Sequence, residues 1–321
     1  MSRRRRTGRK FLTALLPIVL LVVLALVGLS VWLVHGATRP PRQPYLVTPE
    51  KFSQLSDRGL RAAEERWSNR DGTEARGWLL RGAEGAPGVL LLHAYGADRS
   101  WLLNLGVKLN ETTNLTVLLP DLRGHGENPP AEATSFGALE AADALAALDH
   151  LRSLKAGGGG PLVGGALGVY GVEEGAYAAL LAGHDDKSVR ALVLDSVPDS
   201  PDDVLRQAVA QTAGFDNRAV NLLARAGTRL YFAGSYQNKS ACTAAESLGD
   251  RQALLLSGAD AGELRHSTET LARCFPAQAT PQVVTNLPLT GITLASASPE
   301  QGESYDRRVI EFFDRTLRRG E

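Results

Sequence analysis

Gly171-Val172-Glu173-Glu174-Gly175 stands at the end of an apolar run, Leu167 to Gly171, and at the start of an Ala-rich one, Glu174 to Ala182. The first run reads as a buried strand and the second as a helix. A chain that turns sharply from strand to helix strains the central residue and needs small neighbours two positions to either side. Gly171 and Gly175 meet that need, and Ala176 lets the helix pack closely on the strand. A serine at the centre of such a turn is a nucleophile. Here the centre holds Glu173.

Outward from this turn, strands and helices alternate. Upstream, Glu64 to Asn69 and Glu74 to Leu80, split by Arg70-Asp71-Gly72-Thr73, read as a hairpin. Gly88 to His93 is continuously apolar, as in a strand buried on both faces. Ser100 to Glu111 reads as a helix and Leu115 to Pro120 as a strand. Phe136 to Leu154 carries Leu139, Ala142, Leu145, Leu148 and Leu151 at helical spacing. Downstream come strand Val189 to Leu194 and a mostly helical, lid-like segment over 198–251. Strands Gln252 to Ser257 and Gln282 to Leu287 and a terminal helix, Tyr305 to Leu317, complete the pattern. This order predicts an α/β fold, a mainly parallel central sheet with helices on both faces. Its functional crevice lies at the carboxyl ends of the strands.

Four segments in order carry a family resemblance: His93-Ala94-Tyr95-Gly96, Asp121-Leu122-Arg123-Gly124-His125-Gly126, the Gly171–Gly175 turn, and Leu192-Val193-Leu194-Asp195-Ser196. Over about residues 64–319 the chain resembles the α/β-hydrolase superfamily, particularly its esterase, lipase and serine-aminopeptidase-like branch. The resemblance implies that His93-Ala94-Tyr95-Gly96 is the oxyanion loop, with Ala94 in place of the usual first Gly. It makes the backbone N–H groups of Tyr95 and Glu174 the oxyanion donors. Glu173 then stands above a helix N-terminus, where the dipole and free N–H groups favour a negative charge. We expect its carboxylate to fold onto those two donors and fill the hole. Adjacent helix residues do not face each other, so Glu174 is expected to face solvent or complement the dipole. His93 and His125 are expected to bond nearby backbone, as buried polar groups do.

The other two triad positions are altered. In this fold the order is nucleophile, acid, histidine, with the histidine after the last strand. Residues 288–302 contain no histidine, Thr290-Gly291-Ile292-Thr293 stands where it belongs, and the last histidine of the chain is His266. Ser257-Gly258-Ala259-Asp260 resembles the family's His-Gly-x-x-Asp turn shortened by one residue, which makes Asp260 a remnant acid or a loop carboxylate capping the next helix. His35, His150, His184 and His266 have no metal-binding spacing, and no cofactor or metal is expected.

The 321 residues carry 35 basic and 35 acidic side chains, and the six basic residues Arg3, Arg4, Arg5, Arg6, Arg9 and Lys10 leave 29 against 35 when set aside. A mildly acidic body is a poor nucleic-acid partner. Phe11 to Val34 runs 24 residues without a charge, a span of roughly 36 Å as helix against a hydrocarbon core of about 30 Å. A cleaved signal has a shorter apolar core and a small-residue cleavage site, so an uncleaved anchor is the better reading. The expected organisation is a basic cytoplasmic head (1–10), a transmembrane helix (11–35), a Pro-rich spacer lifting the domain off the membrane (36–50) and the folded domain (51–321). That domain is expected to lie outside the cytoplasm, which is the periplasm if the source is bacterial. There Cys242 and Cys274 are expected to pair as a disulfide rather than stand as two thiols. Asn110, Asn114 and Asn238 head sequons that matter only in a eukaryotic secretory pathway.

Together these readings predict a membrane-anchored, single-pass relative of serine esterases and peptidases without their triad. It acts by binding a small-molecule ligand or a protein partner. The alternative is an active hydrolase of ester or amide bonds with atypical chemistry, using Glu173 as nucleophile or as base for a water.

Overall fold

The hairpin and the alternating runs assemble as a single eight-stranded sheet. The computed structural model describes residues 2–55, 62–127, 129–236 and 238–318, with residues 2–14 and 55 given as backbone alone. The strands are β1 (Ala62–Ser68), β2 (Glu74–Leu80), β3 (Ala86–Leu92), β4 (Thr116–Pro120), β5 (Val163–Val172), β6 (Val189–Asp195), β7 (Gln252–Gly258) and β8 (Gln282–Leu287). They lie in the order β1-β2-β4-β3-β5-β6-β7-β8. β2 pairs antiparallel with β1 and β4, and the six strands from β4 to β8 run parallel.

The helices are α1 (Ser2–Thr38), α2 (Pro49–Leu55), α3 (Leu103–Thr113), α4 (Glu140–Ser153), α5 (Glu174–Asp185), α6 (Pro201–Ala213), α7 (Arg218–Tyr231), α8 (Ala241–Ala245), α9 (Glu263–Ala272) and α10 (Pro299–Arg318). Alternation along the strands sends successive side chains to opposite faces. Leu90 and Leu92 of β3 join Leu145, Leu148, Tyr177 and Leu180 of α4 and α5. Val89 and Leu91 join Leu105 and Leu109 of α3 and Phe312 and Phe313 of α10. Each fully buried Leu or Phe contributes about 1.5–3 kcal/mol, so both layers are strongly held.

A third, smaller cluster covers the carboxyl edge. Val204, Leu205, Ala208 and Val209 of α6 and Ala224 of α7 enclose Leu33 and Ala37 of α1 together with Tyr95 and Phe136. This changes the reading of residues 36–50. The apolar helix α1 continues to Thr38, and Ala37 and Thr38 are fully buried. Beyond it the chain has no regular structure to residue 48 and stays on the domain surface. The Tyr45 hydroxyl donates to Asp121 Oδ2 at 2.6 Å and Leu46 N–H donates to Ser100 Oγ at 2.9 Å. The segment is a strap rather than a spacer, because the last turns of α1 bury apolar residues that a free linker would expose.

Cys242 and Cys274 are bonded, with Cα atoms 5.3 Å apart and 32 residues of separation. The link ties α8 to the end of α9. Closing a loop of that length stabilises a fold by about 3–4 kcal/mol through the unfolded chain.

Candidate active site at the carboxyl edge of the sheet

β5 turns into α5 at Glu173, whose φ of 49° lies in the left-handed region. Holding a long side chain there costs on the order of 1–3 kcal/mol. The turn survives because its flanks have no room for anything else. A Cβ at Gly171 would collide with the Gly175 carbonyl oxygen, and one at Gly175 would sit 2.5 Å from the carbonyl oxygens of Leu92 and His93. Glu173 N–H donates to the Asp195 carbonyl at 2.9 Å, which fixes the turn to the end of β6.

The Glu173 carboxylate does not fill the oxyanion hole. Among the described residues its one hydrogen bond is to Ile292 N–H, 3.3 Å from Oε1, so it points to the loop after β8 and away from the amides of Glu174 and Tyr95. Gly291 makes this possible, since a Cβ there would lie 2.7 Å from Glu173 Oε1. Nor does the helix dipole govern its charge. Burial, aided by the nearby Asp195 and Asp260 carboxylates, raises the Glu173 carboxyl to about 7 against the pull of the Ile292 bond.

Glu174 departs furthest from expectation. It is fully buried rather than facing solvent. Its Oε1 touches Thr134 Oγ1, and His125 Nε2 stands 3.7 Å from its Oε2. Thr134 Oγ1 also lies 2.9 Å from Glu140 Oε1 and accepts from Phe136 N–H at 3.0 Å. Glu140 takes further bonds from Ser135 N–H, Ser135 Oγ and Gly137 N–H at 2.6–2.8 Å. The Thr134 hydroxyl has a single proton. It donates that proton to the saturated Glu140 carboxylate and accepts one from a neutral Glu174. Burial and the Glu140 charge both raise the Glu174 carboxyl well above its ordinary value, in line with that arrangement. Glu140 lies 34 positions away in the chain, so nothing local in the sequence signalled this partner.

On the oxyanion loop, His93 Nε2 accepts from Leu122 N–H at 3.0 Å and its Nδ1 lies 2.8 Å from the Ala94 carbonyl. His125 Nε2 accepts from Gly96 N–H at 3.0 Å, with Nδ1 2.9 Å from the Arg123 carbonyl. Both rings are spent on backbone. Burial lowers them to about 4 and about 3, so neither carries a charge at neutral pH. The Tyr95 hydroxyl donates to the Ala37 carbonyl at 2.8 Å, joining the loop to the end of α1.

The loop after β8 forms a tight turn, Gly291–Ser296, with Thr290 at its N-cap position. Its first three amides each meet a carboxylate. Thr290 N–H donates to Asp260 Oδ2 at 3.1 Å, Gly291 N–H to Asp195 Oδ2 at 2.9 Å, and Ile292 N–H to Glu173 Oε1 at 3.3 Å. These are the donors that a helical turn leaves unpaired at its start, and negative charge is favoured there. Asp260 therefore caps this turn, not α9, and also takes bonds from the hydroxyls of Thr290 and Thr293.

Asp195 is the residue that sequence reasoning missed. It is fully buried at the end of β6, accepts from Tyr305 Oη at 2.6 Å and Ser196 Oγ at 2.8 Å, and is raised by burial to about 6. The one available signal was an acid directly ending the apolar run Ala191–Leu194.

No imidazole joins this cluster, and among the described residues no group of three or more His, Cys, Asp or Glu is arranged to hold a metal ion. A cavity of about 310 Å³ lies beside it, lined by His93, Ala94, Val172, Ile292, Leu294 and Tyr305 among others; Glu173 is not part of its wall.

The sequence pattern described as "Alpha/beta hydrolase family" matches residues 89–319. An esterase of Pyrococcus furiosus superposes with a TM-score of 0.63 at 18% identity, covering 87% of this chain and 98% of its own. A Pyrobaculum calidifontis esterase gives 0.57 at 15%, covering 85% and 95%. Dienelactone hydrolase from Anabaena variabilis gives 0.56 at 16%, covering 80% and 99%. No curated protein matches the sequence.

Proposed function

From a chain that belongs to the α/β-hydrolase family, we propose a membrane-anchored member whose domain lies outside the cytoplasm and which acts by binding rather than by hydrolysis. The observation that carries this reading is the row of amides at Thr290, Gly291 and Ile292. The residues at the nucleophile and acid positions hold a loop that occupies the histidine position, so all three triad places serve structure. Without a general base, neither formation nor hydrolysis of a covalent intermediate has its usual proton path. The 310 Å³ cavity, bordered by apolar side chains at the same edge, has the size of a small-ligand site. The disulfide and the basic head before an apolar helix support the orientation.

One observation favours the alternative. A carboxyl raised to about 7 is suited to act as a base on water at neutral pH. The two readings separate cleanly on the full chain in membranes. A fluorophosphonate probe is expected to leave it unlabelled, and p-nitrophenyl ester hydrolysis to stay at background, unchanged in Glu173→Ala. Glu173→Ser alone creates no esterase. Hydrolysis that disappears in Glu173→Ala establishes the alternative; labelling of the wild-type chain overturns the binding reading altogether.

A further inference from the structure

Outside α1, the exposed large apolar side chains among the described residues are Leu46, Phe215, Leu222, Leu230, Tyr231 and Val283. Four of the six fall within residues 215–231, on α7 and the turn before it. At about 100° per residue, α7 divides into three sectors. Ala224 and Thr228 are buried against the domain. Arg218, Arg225 and Arg229 form a ridge beside them, the last two facing Asp202 of α6. Leu222, Leu223, Ala226, Gly227 and Leu230 fill the third sector.

That third sector abuts the anchor. Ser30 Oγ of α1 donates to the Leu223 carbonyl at 3.4 Å. Gly227 lies so close that a Cβ would strike Ser30 Oγ and sit 2.9 Å from Val34 Cγ2. The same closeness recurs between Gly36 of α1 and Thr212 of α6. Small residues at such crossings let helices approach backbone to backbone.

The depth of this contact follows from helix length. A hydrocarbon core of about 30 Å takes about 20 helical residues. Counted from Phe11, the first residue after the basic head, the core ends near Ser30. The large apolar side chains of α1 that are open to the surroundings run from Leu15 to Trp32, and those from Leu33 on are enclosed by the domain. Leu223 and Gly227, which meet Ser30 and Val34, therefore bring α7 to the level where acyl chains give way to headgroups, and Leu222 and Leu230 are its exposed apolar neighbours there. Trp32, two residues past Ser30, is half-exposed at that level, the position aromatic side chains favour. The arginine ridge flanks the apolar sector as basic side chains do on helices lying in a bilayer interface.

We propose that α7 is a second membrane contact: its Leu222–Leu230 face lies in the interface of the leaflet through which α1 leaves the bilayer. The proposal rests on the reading of α1 as an anchor. The occupant is lipid, since the face is continuous with a helix whose own open surface needs lipid.

The test uses the full chain in nanodiscs, where the two native cysteines are paired and leave no free thiol. Single-cysteine variants Leu222→Cys, Leu230→Cys, Leu24→Cys and Gly158→Cys are labelled with an environment-sensitive fluorophore, and lipid bearing a spin quencher at a shallow acyl position is added. Labels at 222 and 230 are expected to shift to the blue and lose most of their emission, with Gly158→Cys, at the opposite end of the sheet, unchanged. Quenching at 24 with none at 222 and 230 overturns the proposal and leaves the anchor intact. No quenching at any of the three overturns both. Disulfide cross-linking of Leu222→Cys between chains, in place of quenching, assigns the face to a second copy and also overturns it.

Discussion

The two halves of the carboxyl edge differ in what they keep. On the side of β3, β4 and β5, the backbone features of a hydrolase site are intact: a left-handed Glu173, a packed Gly175, and His93 and His125 bonded to the loops they brace. On the side of β6, β7 and β8, the carboxylates of Asp260, Asp195 and Glu173 clasp the amides of Thr290, Gly291 and Ile292. The first half is constrained by close backbone contact and tolerates no change of size. The second is held by side-chain carboxylates on backbone amides, so its constraint is hydrogen bonding rather than close packing.

The largest break in this contrast is expected on the backbone side. Gly175→Ala places a methyl against two carbonyl oxygens and is expected to cost about 3 kcal/mol or fail to fold, read by urea unfolding. On the clasp side, Asp195→Ala strands the buried Gly291 N–H and removes the carboxylate acceptor of the Tyr305 hydroxyl, which keeps only Tyr170 Oη. Its expected cost is about 2–3 kcal/mol, with faster hydrogen exchange at Gly291 and Ile292. Equal costs for the two variants, with no change in exchange, would dissolve the contrast.

The smallest effect is the sharpest. The folded chain holds a proton on Glu173 between the ordinary carboxyl value of 4.5 and about 7, where the unfolded chain has lost it. The stability so gained is complete below the lower value and is lost as pH rises through the upper one. Glu173→Gln stays neutral and keeps an acceptor for Ile292. Its melting temperature relative to the wild type is therefore expected to climb from about pH 5 to about pH 8. A flat difference would mean that Glu173 is better solvated than its contacts imply.

Much of the fold was legible beforehand because strand and helix declare themselves through local periodicity. The eight strands appear where apolar runs and turn residues place them, with β8 at Gln282–Leu287 as read. The site was legible only in part. The absence of a histidine from 288–302 could be seen directly. That Asp195 joins the cluster, that Glu174 is a neutral buried acid, and that the segment after α1 straps the domain could not, because each depends on a partner far along the chain.

By itself, then, the sequence determined the strand-to-helix turn, the order of strands and helices, the long apolar N-terminal helix and the absence of a histidine from 288–302. These follow from residue types and their spacing, which sterics and hydrophobic period translate directly into backbone. Tertiary structure decided which way the Glu173 carboxylate turns, what the three carboxylates hold, and how closely α1 grips α6 and α7. Those outcomes depend on which distant donors and surfaces arrive within a few ångströms, and only folding brings them there.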